Sequence, residues 1–107
     1  MNENLDRRTA LTVQCFTYVA GKLAQTSALL SPTALHAQVL AEAERHYSAL
    51  RLMQRDLLQS TDDGLRSGTL SAGKARLMRD AASKTIKGAQ DQITRIASQF
   101  TPQKLAA

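Results

Sequence analysis

Leu35, Val39, Ala43, His46, Leu50, Met53 and Leu57 follow one another at steps of 4, 4, 3, 4, 3 and 4. Steps of three and four return a side chain to the same side of a 3.6-residue turn. A stripe this long commits the middle of the chain to one extended amphipathic helix, and Leu40, Tyr47 and Leu58 widen its apolar face. Such a face must be buried against other helices, because β-branched or aromatic runs of strand length are missing from the rest of the chain.

Ser31-Pro32-Thr33 sets where that helix begins. Pro32 has no N–H and clashes with a preceding turn, so an earlier helix must stop there. Ser31 can cap the next one, and Pro32 suits its first position. The second helix is thus expected over 32–63, with Gly64 taking the left-handed conformation behind it and Leu65 folding back. Leu65 to Leu70 reads as a loop, flanked and punctuated by Gly64 and Gly68.

A first helix is expected over 5–30, with Phe16, Val19, Leu23 and Leu30 on one face. A third is expected over 71–100 with Ser71 as its cap. Its stripe is Ala75, Met78, Ala82, Ile86, Ala89, Ile93, Ile96 and Phe100, small in the first half and bulky in the second. The bundle should therefore taper toward Ala75. Gly88 weakens this helix by roughly 1 kcal/mol relative to Ala. Pro102 ends it, and 101–107 reads as a tail. A chain of 107 residues fits one domain, 1–107. The fold class is all-α: an up-down-up three-helix bundle with long antiparallel helices, which dimerisation could complete.

Several chemistries are tempting and fall short. Gly68-Thr69-Leu70-Ser71-Ala72-Gly73-Lys74-Ala75 approaches the phosphate-binding loop GxxxxGK[ST], but Ala75 stands where the magnesium-holding hydroxyl belongs. No strand precedes it either, so a helix N-terminus capped by Ser71 is the simpler account. Glu42 and His46 lie one turn apart, with His36 further back, yet no inward carboxylates accompany them as a di-iron bundle requires. No metal, no cofactor and no catalytic residues are assigned, since no base lies beside a nucleophile and no two carboxylates converge. The chain reads as a non-enzyme.

Cys15 is the only cysteine, so no internal disulfide can form; it reads first as a small buried hydrophobe. Ala10–Gly21 is broken by Thr12, Gln14 and Thr17, so a cleaved signal is not expected, and no apolar run approaches a membrane span. A cytoplasmic location is expected. His46 interrupts an apolar stripe. A core histidine bonded to a hydroxyl such as Thr12 or Thr85 is the plain reading, and a pH-sensitive switch the sharper one.

Two surfaces could meet a partner. Leu11, Cys15, Tyr18 and Leu29 form a second stripe beside the core face of the first helix, interrupted by Lys22 and Gln25. It either meets a second neighbour inside the bundle or forms a coiled-coil-like seam for another protein or a second copy, and a homodimer is the expectation. The other surface is basic. The chain carries +5, an excess that falls wholly in residues 69–107. Arg76, Lys84, Lys87 and Arg95 cluster opposite the apolar stripe of the third helix. Asp80 and Asp91 sit among them, spaced to pair with Lys84 and Arg95 as i,i+4 partners. A nucleic-acid face would usually avoid such acids. The expectation is a non-catalytic helical interaction module (adaptor, chaperone or regulator), with a nucleic-acid-associated regulator as the alternative.

Overall fold

A computed structural model of the chain describes residues 2–26 and 29–102. Three α-helices make up the fold: α1 (Asn2–Gln25), α2 (Pro32–Ser67) and α3 (Ala72–Ser98). The described residues contain no strand. Contacts near the ends fix the directions. Leu5 and Arg8 of α1 share a cleft with Met53 and Ser60 of α2, while Phe16 meets His46. Tyr47 bonds Thr94, and Asp62 bonds Arg79. Asp6 meets Thr85. Thus α1 and α3 run alike and α2 runs against both, which is the up-down-up bundle.

The caps form as the side-chain chemistry dictates. Ser31 is extended, and its Oγ accepts from the Ala34 N–H at 3.1 Å. Ser71 does the same for the Lys74 N–H at 3.2 Å. Each satisfies one of the amides that a helix start leaves without an internal partner. The near-phosphate loop is accordingly the α2–α3 turn and a capped helix start.

Four boundaries differ from the sequence expectation. First, α2 does not stop at Asp63; it runs through Gly64 to Ser67. The left-handed residue is Gly68, at φ 78°, whose N–H reaches the Leu65 carbonyl at 3.3 Å. Leu70, not Leu65, folds back on the helix end, and its N–H donates to the Gly64 carbonyl at 3.1 Å. Second, α1 ends at Gln25 rather than at residue 30. The Thr26 hydroxyl donates to the Leu23 carbonyl, and the Leu29 N–H to the Thr26 carbonyl, in a tight turn. Third, α1 already begins at Asn2; fourth, α3 closes at Ser98. Of the tail expected at 101–107, only Thr101 and Pro102 are among the described residues.

Phe16, Val39, Leu50, Ile86 and Ile93 are the largest fully buried apolar side chains, and Ala20, Ala43, Ala89 and Ala97 let the helices close around them. With 24 residues against 36, α1 is much shorter than α2. It starts beside Leu57 and Ser60, so the last turns of α2 and the first turns of α3 continue as a two-helix hairpin. Small side chains fill that hairpin: Thr61 and Ala75 are buried there, and Arg79 meets Asp62 at 2.6 Å across it. The whole measures 58 × 26 × 16 Å.

Candidate partner-binding seam

The face of α1 that meets the core holds Thr9, Phe16 and Ala20, all buried. Leu11 lies five residues before Phe16, about 140° round the helix at 3.6 residues per turn. The second stripe therefore lies across the helix from the core rather than beside it. Leu11 is 52% exposed and Tyr18 66%, and Cys15 is exposed between them. The reading of Cys15 as a buried hydrophobe is thereby corrected: its position faces away from α2 and α3.

Leu29 does not extend this stripe as a helical residue. It is 87% exposed, but it sits in the turn after Gln25, so helical spacing no longer governs its direction. What the helix presents is Leu11, Cys15 and Tyr18 on consecutive turns. The other strongly exposed leucines stand apart from one another: Leu52 on α2, and Leu77 on α3 between Arg76 and Met78. Solitary exposed leucines are ordinary on a protein surface, whereas a contiguous apolar line points to contact.

Cations bound the line. Arg8 and Lys22 are exposed one turn beyond Leu11 and Tyr18 respectively. The Lys22 ammonium lies 5.5 Å from the centre of the Tyr18 ring, a cation–π contact that holds the charge within the line. Asp56 shares the shallow cleft beside Arg8 without closing an ion pair to it among the described residues.

On α3, Arg76, Lys84, Lys87 and Arg95 are all exposed, but so are Asp80 and Asp91. The side-chain pairs expected within α3 do not close. The Lys/Arg–carboxylate pairs formed among the described residues are Arg45 with Glu42, and Arg79 with Asp62. Charge on α3 is thus spread over solvent, with acids interleaved.

His46 finds neither expected hydroxyl. Thr12 donates to its own helix at Arg8, and Thr85 donates to Asp6 at 3.4 Å. The imidazole instead packs edge-on against Phe16, with ring centres 5.6 Å apart. Its Nε2 lies 3.9 Å from a Glu42 carboxylate oxygen. Burial pushes the imidazole below its ordinary value of 6.5; Glu42 opposes that shift and Arg45 adds to it. Among the described residues no three His, Cys, Asp or Glu side chains gather as a metal site would require, and no helix is long and apolar enough to cross a membrane.

No known protein family, curated protein or solved structure matches this chain.

Proposed function

We propose that this protein is a non-catalytic helical interaction module whose working surface is the outward face of α1. The observation that carries this reading is the exposed line Leu11–Cys15–Tyr18, on the side of α1 turned away from its own core. Packing a partner helix along it would remove apolar area from water at about 25 cal/mol per Å². The binding partner is another protein chain or a second copy. The compartment this reading assigns is the cytoplasm, where an unpaired, exposed thiol such as Cys15 stays reduced.

The second reading, a nucleic-acid regulator working through α3, has one observation in its favour: Arg76, Lys84, Lys87 and Arg95 stand exposed without ion pairs among the described residues. Interleaved Asp80 and Asp91 and the lack of stacking aromatics on that face count against it. The two readings separate in one experiment. Tyr18→Glu should abolish capture of a protein partner, or dissociate a dimer, while circular dichroism stays helical. If Lys84→Glu/Lys87→Glu removes nanomolar, salt-steep nucleic-acid binding instead, α3 is the working surface.

A further inference from the structure

The pattern along α1 says more about the occupant than that it is apolar. Arg8, Leu11, Cys15, Tyr18 and Lys22 step by 3, 4, 3 and 4, which is the spacing of a coiled-coil seam, and all five are exposed. Asn4 and Gln25 continue it outward by one further step each. The line is nearly a palindrome: amide, cation, apolar, thiol, apolar, cation, amide. Its charges are of one sign. Among the described side chains of α1 the acid is Asp6, which is turned to α3, where it accepts from Thr85.

That arrangement works against a second copy in either direction. Side by side and in register, Arg8 stacks on Arg8 and Lys22 on Lys22. Head to tail with the apolar trio overlapped, Arg8 of one copy and Lys22 of the other fall within about one helical turn, ~5.4 Å along the axis, at both ends. A seam that ends in cations at both ends is complemented by a helix carrying carboxylates there. Resting on the reading of α1 as the working surface, we infer that its occupant is an acidic amphipathic helix of another protein rather than a second copy of this chain.

The test uses the full chain and two synthetic helices of about four heptads. Both carry leucine at the a and d positions; one has glutamate at e and g, the other lysine. Calorimetric titration should show the glutamate peptide binding at least tenfold more tightly than the lysine peptide. Arg8→Glu/Lys22→Glu should reverse that preference, while Lys84→Glu/Lys87→Glu should change it less than twofold. Bound glutamate peptide should also slow alkylation of Cys15. Equal binding of both peptides, binding of neither, or loss only in the α3 variant overturns the acidic-helix assignment. Sedimentation equilibrium distinguishes the failures. A dimer dissociated by Tyr18→Glu keeps the seam and replaces its occupant with a second copy. A monomer in which Tyr18→Glu leaves peptide binding and Cys15 alkylation unchanged removes the seam itself.

Discussion

Leu70 closes the α2–α3 turn directly on Gly64: its amide donates to the Gly64 carbonyl at 3.1 Å, and a Cβ placed on Gly64 would lie 3.0 Å from the Leu70 Cβ. Gly64 is therefore a helical residue kept small by a neighbour, not a helix stop. The residue that needs backbone freedom is Gly68, whose φ of 78° lies in the left-handed region.

A contrast between two glycines tests this. Gly88 is also helical, and a Cβ there meets nothing within 4 Å. Gly88→Ala should raise stability by about 0.5–1 kcal/mol, the ordinary helix preference of alanine. Gly64→Ala gains the same preference but must displace Leu70, and overpacking costs ~1–3 kcal/mol. The net should be destabilising. Urea midpoints with unchanged m-values would report both. An equal gain at 64 and 88 would show that Leu70 moves aside without cost.

Leucines on opposite sides of the surface should differ sharply. Leu50 is fully buried, whereas Leu77 is 70% exposed. Leu50→Ala leaves a cavity in the core cluster it shares with Phe16 and Ile93 and should cost roughly 2–5 kcal/mol. Leu77→Ala should stay within about 0.5 kcal/mol. A large loss at Leu77 would mean that it is covered in solution.

The bundle was legible in the sequence because the α2 stripe and the Ser31-Pro32 junction leave few alternatives. Ser71 capped where its position predicted. The end of α2 was not legible: Gly64 and Gly68 are both credible stops, and only the Leu70 contact distinguishes them. Thr9 and Thr61 were missed as core residues because hydroxyls read as polar. Each donates to the carbonyl four residues back, at 2.7 Å, so it buries without an outside partner. The exposed line Leu11–Cys15–Tyr18 was legible as a second stripe on α1, but its place across the helix from the core required the positions of α2 and α3. Leu29 was drawn into it by spacing that assumed four more helical residues.

His46 should make stability fall in mild acid. Its imidazole is held below the ordinary value of 6.5, chiefly by burial. The unfolded chain then binds more protons than the folded one between the two values, so stability rises with pH across that interval. The contribution is complete above 6.5 and is lost as pH falls through the lower, folded value. His46→Phe keeps a ring against Phe16 and cannot titrate. Between pH 7.5 and 5 its urea midpoint should move less than that of the parent chain. Identical profiles would show that other groups carry the acid sensitivity.

The cations of α1 make one last prediction, and it concerns salt. If Arg8 and Lys22 are what prevent self-pairing, reversing one of them should permit it. Arg8→Glu places a carboxylate within about one turn of Lys22 from an antiparallel second copy, at both ends of the seam. The two Glu–Lys contacts, together with the Leu11–Cys15–Tyr18 line, should shift the variant toward dimer in sedimentation equilibrium. Salt should act on the two proteins in opposite directions, because screening weakens repulsion and attraction alike. Raising ionic strength should strengthen whatever weak self-association the parent chain has and weaken that of Arg8→Glu. Adding Tyr18→Glu to the variant should return it to monomer, since the apolar centre is then broken while the ends still match. A parent chain that dimerises at low salt as well as Arg8→Glu does would show that the cations do not guard the seam.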